Sequence, residues 1–99
     1  MKTSERDLRR LRAIAKFQAM MNERVGSLAD RPECKGAVEN IVDKFMAVTD
    51  AYVNFDGSRD GASAISTAAL AYVESLDTIE SVGAKFRDEL REMRRNTKH

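Results

Sequence analysis

Tryptophan is absent from this chain of 99 residues, which holds one proline, one cysteine, one histidine and five glycines. So little proline and glycine leaves few of the tight turns that a β-rich domain requires. A lone cysteine, Cys34, excludes an internal disulfide framework and suits a reducing compartment. No apolar run approaches the ~20 residues needed to cross a bilayer. The first dozen residues carry Lys2, Arg6, Arg9, Arg10 and Arg12, so no signal peptide is expected and the cytoplasm is the default location. Nor does one sign of charge dominate: seventeen basic and sixteen acidic residues give a net charge of +1, with no global bias toward nucleic acid or membrane.

The motifs of common catalytic chemistry are also missing. There is no HExxH, no CxxC and no Gly-rich phosphate loop. Metal sites in helical bundles use inward carboxylates with Glu-x-x-His pairs, and the only histidine is His99. Glu39, Asp43, Asp50, Glu74 and Asp77 fall on the polar sides of their segments. A helix N-terminus can lower a thiol pKa, which makes Cys34 the one nucleophile to consider. A Cys-His pair would need His99, at a frayed terminus, to come back to it, so Cys34 reads instead as a small residue at the core's edge. We expect no enzyme, no metal and no cofactor.

Three amphipathic segments account for nearly everything present. The first, about 4–26, opens at Ser4, whose spacing to Asp7 resembles a capping box. Its apolar stripe reads Leu8, Leu11, Ile14, Ala15, Met21 and Val25, with Gln18 interrupting it. Gly26 and the stretch from Ser27 to Pro32 end it, and Asp30 with Pro32 marks the next start. The second, about 32–55, has a heptad seam through Val38, Ile41, Phe45, Val48, Tyr52 and Phe55. Val42, Met46, Thr49 and Val53 widen its apolar arc to about half the helix, on a period of 3.6. The plainest turn of the chain runs from Asn54 to Asp60, with Ser58 or Asp60 as the cap.

The third segment, about 60–95, is the longest. Ile65, Ala69, Tyr72, Leu76, Ile79, Gly83, Phe86, Leu90 and Met93 alternate by four and three throughout. Glycine inside a helix costs about 1 kcal/mol relative to alanine, yet the seam stays in phase across Gly83, which favours one continuous helix. The rival reading breaks the chain at Gly83 and folds back a fourth short helix.

Short connections make consecutive helices antiparallel. The expected fold is therefore all-α, an antiparallel up-down-up three-helix bundle with a long third helix, in one domain. Charge blocks agree with it: the Arg-rich start of the first helix would lie beside Asp50, Asp56 and Asp60, and Glu33 and Glu39 nearer the basic end of the third.

Three faces are candidates for partners. The third helix outruns the second by roughly a dozen residues, or about 18 Å of rise. Phe86, Leu90 and Met93 would then lack a partner within one chain, making them an oligomer interface and a homodimer the expected state, against the plainer reading that the first helix or a turn at Gly83 covers them. On the first helix, Phe17 and Met20 fall off the core stripe, in an arc shared with Arg10 and Arg24. An aromatic flanked by arginines is a frequent hot-spot composition, against the plainer reading that Phe17 reaches a neighbouring helix. Finally, Arg87, Arg91, Arg94 and Arg95 form a basic stripe suited to phosphates. Basic residues in a last turn also simply complement the helix dipole, and no nucleic-acid recognition motif accompanies them.

In size and heptad format the chain resembles small phage or plasmid proteins that bind and inhibit a host protein, and bacteriocin immunity bundles. No residue correspondence comes with that resemblance. The function expected from these features is non-catalytic: an adaptor or inhibitor that docks helix faces on another protein. The alternative is a nucleic-acid-binding accessory protein using the C-terminal arginines, and an enzyme subunit whose site a partner chain completes around Cys34 ranks last.

Overall fold

The computed structural model describes residues 4–97, so Lys2 and His99 lie outside the described residues. It is all-α, with no strand among those residues. Helix α1 spans Glu5–Val25, a 3-10 turn covers Gly26–Asp30, α2 spans Pro32–Val53 and α3 spans Arg59–Asn96.

Each boundary has a local cause. The Ser4 hydroxyl accepts the Asp7 N–H at 3.1 Å, satisfying one of the donors that a helix start leaves without an intrahelical partner. Gly26 closes α1 with φ +56°, a conformation open to glycine because it has no Cβ. Pro32 occupies the first turn of α2, where its missing N–H and fixed φ cost nothing. Asp30 does not cap that helix; it ends the 3-10 turn, and Arg31 holds the capping position without a side-chain bond. Between α2 and α3, the Asp56 carboxylate accepts the Ser58 N–H at 2.9 Å, and the Ser58 hydroxyl accepts the Gly61 N–H at 3.0 Å. Ser58 is thus the cap, and Asp60 lies in the first turn.

Helix α3 runs unbroken through Gly83 for 38 residues. Its seam turns inward as its spacing predicts: Gly83 and Phe86 are buried, Ile65, Ala69, Tyr72, Leu76, Ile79 and Leu90 are half-buried, and only Met93 is exposed.

Side-chain pairs tie the helices together. Arg6 meets Asp50 at 2.8 Å and Arg10 meets Asp43 at 3.3 Å. Arg31 meets Glu89 at 2.7 Å, and the Phe45 and Tyr72 rings stand 6.0 Å apart. In both helix pairs the higher number on one helix meets the lower number on the other. The Arg-rich start of α1 therefore does find Asp50, but its other partner is Asp43, not Asp56 or Asp60. At the far end Arg31 with Glu89 makes the bridge to α3, and neither Glu33 nor Glu39 pairs there among the described residues.

The core has two connected parts. One gathers Met21, Val25, Leu28, Ala29, Cys34, Val38 and Phe86; the other centres on Ile41, Val42 and Met46. Ile14, Phe17 and Ile79 pack against both. The interior polar groups are satisfied. Ser75 donates to the Tyr72 carbonyl at 2.6 Å, and the Gln18 amide donates to the Ala29 carbonyl at 3.1 Å. Gln18 is thus no interruption of the α1 stripe but the tie between α1 and the 3-10 turn, since a buried amide without a partner would be costly.

Two expectations from sequence are overturned here. Phe86 is 1% exposed, inside the core, and Leu90 packs against the same cluster. The cover comes from the 3-10 turn, which the sequence shows only as a linker: Leu28 and Ala29 fold down over α3 together with the end of α1. Phe86 is closed to any contact with a second chain and Leu90 is half-buried, so of the three only Met93, at 48% exposed, stands open at the surface. On α1 the inner face is also rotated from the expected one. Ala13, Ile14, Phe17, Gln18, Met21 and Val25 turn inward, while Leu8, Leu11 and Ala15 are exposed. The ion pairs from Arg6 and Arg10 to α2 accompany that rotation.

Candidate interaction surfaces

Phe17, Met20 and Arg24 do come together, in a role the sequence did not show. With Met21, Leu76, Ile79 and Glu80 they line a groove of about 60 Å³ between α1 and α3. Phe17 forms part of its half-buried floor, and Met20 stands exposed on its rim. Arg24 reaches across to Glu80 at 2.6 Å and lies over Gly83, whose Cα it approaches closely enough that an added Cβ would meet its Nη1 at 3.7 Å. Arg10 is not in this groove; it is engaged with Asp43 on α2. The aromatic-plus-arginine patch is therefore split: Phe17 reaches the neighbouring helices, and both arginines make interhelical ion pairs.

A second surface lies at the C-terminal end of α2. Its apolar stripe is fully covered at Val38, Ile41, Val42 and Met46, then continues into open solvent. Phe45 keeps one edge against Tyr72, but Tyr52 is 66% exposed and Val53 73% exposed, and Phe55 in the following loop is exposed as well. The core moved toward the other end of α2, where the 3-10 turn covers it. Sequence periodicity marks all these residues as apolar without distinguishing covered from uncovered ones.

The charges around this uncovered end are mixed: Arg6 holds Asp50, and Arg59 stands between Asp56 and Asp60. The Arg6 guanidinium, hydrogen-bonded to Asp50, holds that carboxyl below the ordinary carboxylate range. The Asp56 carboxyl is lowered too, by its bonds from Ser58.

The C-terminal arginines are all exposed. Arg91 and Arg95 lean on Asp88 and Glu92 of the same helix, at 3.7 Å and 3.3 Å, while Arg87 and Arg94 make no ion pair among the described residues. Sequence reasoning did not find the guanidinium of Arg31, which lies over the Phe86 ring at 5.3 Å. Cys34 is fully buried in the core, and burial, with the Glu33 carboxylate adding to it, pushes its thiol pKa up. That is the opposite of what a helix N-terminus acting alone would do. Among the described residues no three His, Cys, Asp or Glu side chains are grouped to hold a metal ion, and no helix is long and apolar enough to cross a membrane.

The geometry defines the class as an all-α, three-helix protein with an interhelical groove and one uncovered apolar end. Comparison with protein-family models, with curated proteins and with solved structures gives no match to this chain.

Proposed function

We propose that this chain is a non-catalytic protein–protein interaction module, an up-down-up helical bundle serving as an adaptor or inhibitor. The observation that carries this reading is the α2 stripe, which stays apolar through Tyr52 and Val53, and on to Phe55 in the loop, after its cover within the chain has ended. Clustered aromatic and aliphatic groups standing in water favour burial against another surface, and aromatic side chains are the usual anchors of such contacts. The C-terminal arginines give less support to nucleic-acid binding, since two of the four already lean on acids of their own helix.

The test is a photo-crosslinking amino acid placed at Val53 in the full chain, expressed in the cells it comes from. One dominant crosslinked protein is expected. Binding of that protein, once purified, should weaken about ten-fold or more in Tyr52→Lys and Phe55→Lys variants; both positions are exposed, so the fold should tolerate the change. Equal binding by the variants would overturn the proposal.

A further inference from the structure

The face that carries the α1–α3 groove has two rims of opposite charge. Along α1, Arg9, Ala13, Lys16 and Met20 are spaced by four, three and four, which places them on one side of the helix. Along α3, Leu70, Val73, Asp77 and Glu80 are spaced by three, four and three. Arg9, Lys16, Met20, Leu70, Val73 and Asp77 are all exposed. Both rims therefore mix apolar and charged groups: Arg9 and Lys16 on α1, and on α3 Asp77 beside Glu80, which Arg24 of the same chain already holds. Around the groove the two helices run in the same direction, for Phe17 lies level with Leu76 and Ile79, and Arg24 level with Glu80.

A face of this kind complements itself. A two-fold axis parallel to the helices lays the α1 rim of one copy over the α3 rim of the other, and keeps every residue at its own height. Lys16, one turn before Met20, then comes level with Asp77 of the second copy. Met20 meets the apolar edge of its groove, and Arg9 falls near Leu70. The second contact repeats the first, as an isologous interface requires.

We propose that the groove face of α1 and α3 is the contact between two copies of this chain, joined by pairing Lys16 of each with Asp77 of the other. This surface is separate from the uncovered end of α2, so either proposal can fail while the other stands.

Sedimentation equilibrium on the full chain, from about 5 to 300 µM, should show the mass of two chains at the upper end. A Lys16→Glu variant and an Asp77→Lys variant should each dissociate at least about ten-fold more readily, because each sets like charges against one another at both contacts. Mixed in equal amounts, they should recover dimer as a one-to-one heterodimer, with circular dichroism confirming that each is folded. A wild-type chain that stays monomeric throughout would overturn the proposal. So would variants that dimerise as tightly as wild type, or a mixture that recovers nothing.

Discussion

Truncating Phe86 separates the intrachain core from an interchain seam. Its ring is enclosed by residues from all three helices and the 3-10 turn, and it is 1% exposed. Replacing it with alanine removes the packing of an entire ring and leaves a cavity lined by Met21, Val25 and Leu28, and such changes cost about 3–5 kcal/mol. The guanidinium of Arg31 loses its aromatic face as well, a contact worth roughly 0.5–1 kcal/mol at a partly exposed site. A domain of this length has about 5–15 kcal/mol of stability in all. The Phe86→Ala variant should therefore lose roughly a quarter of it or more, with a melting temperature lower by about 15 °C or more. Urea unfolding followed by circular dichroism, at two protein concentrations ten-fold apart, is the assay. The gap between variant and wild type should be the same at both concentrations, because the lost contacts lie within one chain. Met93→Ala, two turns further along the same seam but exposed, should stay within about 0.5 kcal/mol of wild type. A Phe86→Ala loss below about 1 kcal/mol, or one seen only at the higher concentration, would refute the intrachain account.

Gly83→Ala should stabilise the chain by about 0.5–1 kcal/mol in the same unfolding assay, because alanine is the better helix former and its Cβ would meet only Arg24, at ordinary contact distance. Gly61→Ala should do the reverse, since a Cβ there falls 2.9 Å from the Phe55 ring and 3.0 Å from the Asp56 carboxylate. The Cys34 thiol, enclosed and with its pKa raised, should resist a thiol-reactive disulfide reagent in the folded chain and react fully once the chain is unfolded in guanidinium. For acid, the carboxyls of Asp50 and Asp56 titrate lower folded than unfolded. Their contribution is complete above the ordinary carboxylate pKa of about 3.9 and is lost as pH falls through the lower folded values. Urea midpoints should therefore drop on acidification below about pH 4, and Asp50→Asn should make that drop shallower; an unchanged slope would show that the pairing with Arg6 contributes nothing.

Local physics in the sequence was enough to decide the helices themselves. The hydroxyl of Ser4, three residues ahead of Asp7, marks the head of α1, whereas for α3 the sequence offered Ser58 or Asp60 and the structure chose Ser58. Alternation by four and three identified the inner face of α3 from Ile65 to Leu90, and carried that helix through Gly83 because the phase did not change. Opposite charge blocks at the ends of the segments anticipated that the start of α1 would lie beside Asp50.

Tertiary packing alone decided which apolar residues are covered. The stretch Gly26–Asp30 is too short and too weakly patterned to announce a 3-10 turn, yet its Leu28 and Ala29 bury Phe86 and draw the core toward that end of the molecule. Helix α2 carries the same apolar pattern at both ends, so periodicity could not say that Val38 would be enclosed while Tyr52 and Val53 stood in water. Helix α1 has two apolar arcs, through Leu8 and Leu11 and through Ile14, Phe17 and Met21. Which of them turns inward depends on its ion pairs with α2 and its contact with α3, partners more than fifty residues away in the case of Leu76 and Ile79. Pattern within a helix reports which residues gain from burial, while burial itself depends on where the other helices end and how they cross.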